Sequence, residues 1–284
     1  MIAAGVLRYA EDHGGVIDWP TLSDFGLPDG SSERLVDPGR GGIWNPKSMS
    51  ATLSILTVPH GPYIDREEAG FLHYSFQKGP EGGKNVKLAA AKELGLPILR
   101  LHWISKGLYQ PIFPVFVVDV NPTTREFTLS LNEHLRAVPD VNALSPIERH
   151  YAERLVQQRV HQPRFRARVM LAYENRSCVC SLGHPPLLDA AHISRDSDED
   201  GTPVVSNGLS LCKIHHAAYD RLFLGIDSRG GVRINQRLLD EVDGPMLRHG
   251  LQDMHGRTIT QPHKSADRPD PLRLEARYEQ FLAS

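Results

Sequence analysis

The sequence predicts an α+β protein of two domains. Three observations carry that expectation: five short strand candidates around a single helix in the first 140 residues, an arginine-rich helical segment after them, and a compact strand, loop and helix unit between Leu187 and Asp220. Strands gathered around one helix predict a curved sheet or half-open barrel, because one helix cannot cover both faces of a flat sheet. The boundaries follow the change of pattern: 1–140 for the first domain, 141–165 for a helical basic linker, and 166–284 for the second domain.

An opening helix, Ile2 to Asp12, leads into a Gly- and Pro-rich stretch from Gly26 to Pro46. Strand candidates follow at Ala51 to Val58, Gly70 to Phe76, Pro97 to Ile104, Ile112 to Val118 and Glu126 to Leu131, with the one helix at Asn85 to Leu94. Asn121-Pro122-Thr123-Thr124 marks the turn between the last two strands. Ser145-Pro146-Ile147-Glu148 then has the form of a helix start, with Ser145 as N-cap, Pro146 at the first helical position and Glu148 closing a capping box. That helix is expected to run to about Val160, break before Pro163, and resume to Tyr173. At the far end, Pro271 to Leu282 reads as an amphipathic helix.

At 284 residues and 40% hydrophobic content the chain has apolar material for two cores, and no stretch is long enough to span a membrane. Met1-Ile2-Ala3-Ala4-Gly5 lacks the basic start and apolar run of a secretory signal, so a cytoplasmic protein is expected. The formal net charge of −2 does not advertise nucleic acid. Cations are concentrated locally instead: Ser145 to Arg176 holds seven arginines against three acids. Backbone contact depends on the local surface rather than on the total, so Arg164, Arg166 and Arg168 are candidates for DNA phosphates; a solvated helix face is the plainer alternative.

The chemistry is concentrated in Asp189-Ala190-Ala191-His192-Ile193, Ser206-Asn207-Gly208-Leu209 and His215-His216-Ala217-Ala218-Tyr219-Asp220. Phosphodiester hydrolysis needs a base for the attacking water and positive charge for the transition state and departing alkoxide. His192, in a short apolar run, is the candidate base. Asn207 opens a second strand, Gly208 to Leu211, and its amide can tie the loop back to the backbone near His192. His216 and Asp220, four apart on a helix, project from one face and can share a cation. These residues, with flanking Pro163-Arg164-Phe165-Arg166 and Asp243 to Gly250, resemble the HNH or ββα-metal endonucleases, in particular the bacterial predicted restriction endonucleases. The resemblance implies His192 as general base, Asn207 as structural asparagine and His216 as metal ligand, with Mg²⁺ or Mn²⁺. Many HNH enzymes place a metal-binding residue immediately before the base; here that position is Ala191, and Asp189 or Asp220 is the expected replacement.

All three cysteines, Cys178, Cys180 and Cys212, fall in the second domain. An odd number confined to one segment argues against a secreted disulfide framework. Cys180 with His184, and Cys212 with His215, would supply four ligands to a structural Zn²⁺, with Cys178 able to stand in for His184; small buried cysteines are the alternative.

The first domain carries Gly70-Phe71-Leu72-His73-Tyr74-Ser75-Phe76, the Gly-rich loop Gly79 to Gly83, Asn85 to Ala91 and Pro97 to Leu101. It resembles the SRA-like domains that read modified cytosine. That resemblance implies a flipped base held between aromatic rings and polar groups, for which Tyr63, Asp65, Tyr74, Phe76 and Trp44 are the candidates. SRA pockets commonly carry an Asp in the Gly-rich loop. This chain offers Glu81, Asn85 or Asp65 for that part, or a different mark. The aromatics alternate along a strand and could equally face a sheet core.

The expectation is a modification-dependent restriction endonuclease acting on double-stranded DNA that carries 5-methylcytosine or 5-hydroxymethylcytosine. A homodimer is expected, because cutting two strands with a single-metal site calls for two sites. The alternatives are an HNH nuclease that recognises another mark such as phosphorothioate, and a modified-DNA reader whose HNH scaffold does not turn over.

Overall fold

The computed structural model describes residues 2–39, 41–59, 61, 65–68, 70–79, 83–131, 133–137, 145–194 and 203–284. Internal packing divides the chain into two compact units, 1–10 with 15–164 and 11–14 with 165–284. The fold is mixed α+β, with one large sheet in the first unit.

The elements of the first unit are α1 (Ile2–Asp12), β1 (Ile17–Asp18), α2 (Trp19–Ser23), β2 (Phe25–Gly26), β3 (Ser32–Glu33), β4 (Ile43–Trp44), β5 (Ser54–Thr57), β6 (Arg66–Glu68), β7 (Phe71–Ser75), α3 (Lys84–Glu93), β8 (Ile98–Ser105), β9 (Leu108–Asn121), β10 (Glu126–Ser130) and α4 (Pro146–Val156). Strands run β4-β5-β8-β9-β10-β7-β6 across the sheet, with β1 added on β9. The pairing is antiparallel except for β5 beside β8. β9 is longer than its apolar run predicts, because polar Gln110, Asp119 and Asn121 continue the backbone ladder at both ends. β8 is buried on both faces: Ile98 joins Leu72, Phe127 and Leu129 in one core, while Leu99 and Leu101 join Val6, Leu22 and Leu35 in another. Period-two alternation distributes one strand between two cores.

The sheet curls. β6 and β8 are separated by three strands, yet Glu67 Oε1 lies 2.6 Å from Arg100 Nη2. Among the described residues the end strands β4 and β6 do not pair, so no closed barrel forms. Asn85, weighed above for the base pocket, serves the backbone instead. Its Oδ1 accepts from Gln77 N at 3.0 Å and its Nδ2 donates to Gln77 O at 2.9 Å, tying the start of α3 to the strand end before it.

The expected break before Pro163 does not occur. A π-helical turn at Gln157–His161 joins α4 directly to α5 (Gln162–Ala172), and Gln162 N–H reaches Gln157 O. The widened turn shifts the carbonyls that a proline ring would otherwise strike, so Pro163 is accommodated one residue into α5. Arg149 N bonds Ser145 O at 2.9 Å at the start of α4, while the expected return bond from Glu148 lies outside the described residues.

The second unit continues with β11 (Leu188–His192), β12 (Gly208–Cys212), α6 (Lys213–Asp220), β13 (Leu224–Ile226), β14 (Val232–Ile234), α7 (Gln236–Leu239), α8 (Pro245–Gly250) and α9 (Pro271–Leu282). Its core joins Phe165, Val169, Met170 and Tyr173 of the α5 segment to Leu188, Leu209, Leu211, Tyr219, Leu224 and Leu274. Asp270 caps α9 by accepting from Leu272 N and Arg273 N, with Pro271 opening the helix. No helix among the described residues is long and apolar enough to cross a membrane.

Candidate active site

β11 and β12 pair antiparallel with His192 opposite Gly208 and Leu188 opposite Cys212. β12 is buried along its whole length, which makes this short ladder a rigid platform. Asn207, fully buried, precedes it. Its Oδ1 accepts from Ser194 N at 2.8 Å and its Nδ2 donates to Ser194 O at 3.1 Å. Its own carbonyl accepts from Ile193 N at 2.9 Å. Three bonds therefore fix the backbone immediately after His192, and a hydroxyl or a carboxylate in place of the amide could not make the side-chain pair. The His192 ring stacks on Phe165, centroids 4.0 Å apart and planes 12° from parallel.

α6 begins directly after β12 and presents His216. Asp189 Oδ2 lies 3.3 Å from its Nδ1 and Asp220 Oδ2 lies 3.4 Å from its Nε2. Lys213 Nζ also reaches Asp189 Oδ1, at 3.0 Å. Burial works to raise the Asp189 pKa, but the hydrogen bonds from Lys213 and His216 outweigh it and hold the carboxyl below its ordinary value. The far end of α6 is anchored by buried Arg277 of α9, whose Nη2 donates to Tyr219 O at 3.1 Å and Asp220 O at 3.3 Å while its guanidinium lies over the Tyr219 ring. Cations at a helix C-terminus satisfy its last carbonyls and its dipole.

Asp189 and Asp220 approach opposite nitrogens of His216, so the three do not close on a single point. Two carboxylates and an imidazole still form a donor set that suits a hard or borderline divalent cation. Ala191, the position before His192, is fully buried. Asp189 and His192 lie three residues apart on β11, about 10 Å along a strand.

A second cluster does close. Ligand atoms of Cys180, Cys212 and His215 lie within 4.8 Å of one another. His215 Nδ1 is 3.1 Å from Cys212 Sγ, and Nε2 faces Gly250 O at 2.7 Å. The carbonyl sets Nε2 as the protonated nitrogen and leaves Nδ1 to bind. The Cys212 thiol bonds Cys180 and lowers the Cys180 pKa, assisted by His215 and Ser177 against the effect of burial. Soft thiolates beside an imidazole suit a metal such as zinc. Cys178 and His184 are not part of this cluster: Cys178 is buried, and burial pushes its thiol up, while His184 stands exposed before a turn at Pro185–Leu187.

In the first unit the proposed base-pocket residues divide. Tyr63 and Glu81 lie outside the described residues. Tyr74 is buried and its hydroxyl donates to Gly42 O at 2.8 Å, Trp44 Nε1 donates to Arg34 O at 2.7 Å, and Phe76 packs on Phe127 with centroids 4.4 Å apart. Asp65 differs: burial pushes its carboxyl up to about 6 against the pull of Arg100 and the Ser75 backbone, and its buried Oδ1 has no hydrogen-bond partner among the described residues. Beside it runs a polar network absent from the sequence reading. Arg100, 2% exposed, meets Glu67 Oε1, Thr57 Oγ1 and His102 Nδ1 at 2.6, 3.1 and 3.2 Å. Glu67 also meets Arg164 at 3.1 Å. The signal was an arginine inside the apolar run Ile98-Leu99-Arg100-Leu101. Of the three proposed phosphate contacts, Arg164 is thus held by Glu67, Arg166 donates to Pro185 O at 2.7 Å and Leu188 O at 3.2 Å, and Arg168 is exposed.

Residues 177–227 match the HNH endonuclease family. The second unit carries an HNH endonuclease domain, and such nucleases use a divalent metal. The structure is similar to the modification-dependent TagI restriction endonuclease, with a TM-score of 0.30 and 16% identity over 85% of each chain. It is also similar to the type IV phosphorothioation-dependent restriction endonuclease ScoMcrA, with a TM-score of 0.21 and 16% identity over 58% of this chain and 49% of that one. No curated protein matches the chain.

Proposed function

We propose that the chain is a modification-dependent endonuclease: residues 1–140 read a modified cytosine in double-stranded DNA in the manner of an SRA-like domain, 141–165 link, and 166–284 cut. What carries the reading is the HNH match over a strand pair in which Asn207 fixes the backbone beyond His192 and α6 sets His216 against Asp189.

His192 accepts the proton of the attacking water, and its ring plane and backbone are restrained from two sides. Asn207 is structural, since both ends of its amide are committed to Ser194. His216 would hold Mg²⁺ or Mn²⁺ through one ring nitrogen together with the carboxylate on that side, Asp189 at Nδ1 or Asp220 at Nε2. When bound, the cation supplies positive charge to the phosphate oxygens and the departing alkoxide. Cys180, Cys212 and His215 would hold a structural Zn²⁺, which would tie β12 and α6 to the segment after the α5 helix.

Asp65 is the pocket residue best supported in the first unit, because its buried Oδ1 is an acceptor with no donor among the described residues and suits one such as the exocyclic amine of cytosine. Arg168 contacts the DNA backbone, and two copies act together to cut both strands. A binding titration against duplexes that differ only in one cytosine (unmodified, 5-methyl or 5-hydroxymethyl), with a phosphorothioate duplex alongside, tests the reader. Preference for a modified cytosine is expected. A flat response across the set removes the reading, and preference for the phosphorothioate alone replaces the mark.

A further inference from the structure

We infer that Phe165 is a positioning residue for the His192 imidazole, an inference that rests on the reading of His192 as general base. Asn207 fixes the backbone after His192 but leaves the side-chain torsions of the histidine to be set elsewhere. Phe165 sets them: it is 3% exposed and its ring lies nearly parallel to the imidazole, planes 12° apart and centroids separated by 4.0 Å. A ring stacked on the face of an imidazole restrains its tilt without competing for either in-plane nitrogen, so orientation is fixed and basicity stays available.

The stack is itself built in. Gly208 faces His192 across the ladder. A Cβ there would lie 2.9 Å from Phe165 Cζ and 2.5 Å from Val169 Cγ2, distances that force a shift. The missing side chain at Gly208 is therefore what admits the phenyl ring beside His192. The Asn207-Gly208 pair then has two separate tasks, one on the backbone after the base and one on the ring beneath it. Tyr173, the residue just after α5, donates its hydroxyl to Gly208 O at 3.3 Å and holds that backbone against the end of the same helix.

The test compares full-length wild type, Phe165→Leu, Phe165→Met, Val169→Ala and His192→Ala. Single-turnover nicking of modified plasmid with Mn²⁺, the dissociation constant for the same DNA in Ca²⁺, and the thermal midpoint are read for each. Phe165→Leu and Phe165→Met keep an apolar filler without a flat face, and a loosened base is expected to lower the nicking rate roughly 10- to 100-fold with binding unchanged. Val169→Ala trims the same helix face against Gly208 and is expected to lose thermal stability while keeping its rate within about threefold. The inference is overturned if either soluble Phe165 variant cuts at the wild-type rate, or if Val169→Ala loses as much rate for the same loss of stability. A His192→Ala protein that still cuts would instead remove the base reading, and the two failures are thereby separated.

Discussion

The Asn207 side chain grips the Ser194 backbone at both ends, Oδ1 taking the N–H at 2.8 Å and Nδ2 giving to the carbonyl at 3.1 Å. Asn207 is fully buried while Ser194 is half-buried, so removing the amide leaves two Ser194 backbone groups only partly open to water. Asn207→Ala is expected to cost about 1–3 kcal/mol in urea unfolding and to lower nicking along with it. Asn207→Asp keeps the acceptor and removes the donor, so it should fall between the two. Equal stability of all three proteins would show that the clasp is not formed in solution.

Glu67 and Asp65 predict opposite pH dependences within the first unit. Burial opposes ionisation of Glu67, but Arg100 and Arg164 overcome it and hold its pKa at about 2, below the ordinary 4.5. A depressed carboxylate stabilises the fold above its unfolded pKa, and that contribution is lost as pH falls from about 4.5 toward 2. Asp65, raised from 3.8 to about 6, contributes stability below 3.8 that is lost as pH rises through about 6. Asp65→Asn should therefore raise the thermal midpoint at neutral pH and leave it unchanged near pH 4, an outcome that differential scanning at the two pH values reads directly.

Removing Glu67 leaves Arg100 buried without its carboxylate. Glu67→Gln is expected to cost about 3–5 kcal/mol, the usual penalty for breaking a buried ion pair from one side. A Glu67→Gln/Arg100→Met double variant should recover part of that loss. No recovery would mean that Arg100 is not held as a charge by Glu67.

The cysteine cluster predicts a definite metal content. Atomic emission on protein purified without chelator should find one Zn²⁺ per chain, and stripping it should lower the thermal midpoint. Cys180→Ser, Cys212→Ser and His215→Ala should each lose the metal, whereas Cys178→Ala and His184→Ala should retain it. Metal retained in the first three, or lost in the last two, contradicts the ligand set.

Much of this was legible in the sequence for reasons that are local. Helix α1, helix α3 and the five strands β5, β7, β8, β9 and β10 follow from apolar period and turn residues. The approach of Asp220 to His216 follows from their spacing of four on one helix, whereas Asp189 reaches His216 from a separate strand. What was not legible depends on the chain returning to itself. Arg100 and Glu67 meet only because the sheet curls, and Phe165 meets His192 only because Gly208 leaves room. Pro163 misled because a π turn, which no composition announces, absorbs it. Of the five residues offered for zinc, Cys180, Cys212 and His215 come together, and which three would do so depends on how β12 and the turn after α5 fold against each other.

The measurement closest to the central claim is cleavage of paired modified and unmodified plasmids with Mg²⁺ or Mn²⁺ by wild type, His192→Ala and His216→Ala. The expected result is cutting of the modified plasmid that disappears with EDTA and falls by at least about 100-fold in His192→Ala, with DNA binding intact. His216→Ala should lose activity and recover part of it as Mn²⁺ is raised. Undiminished cutting by His192→Ala would contradict the assignment of the base, and equal cutting of both plasmids by wild type would contradict the dependence on modification.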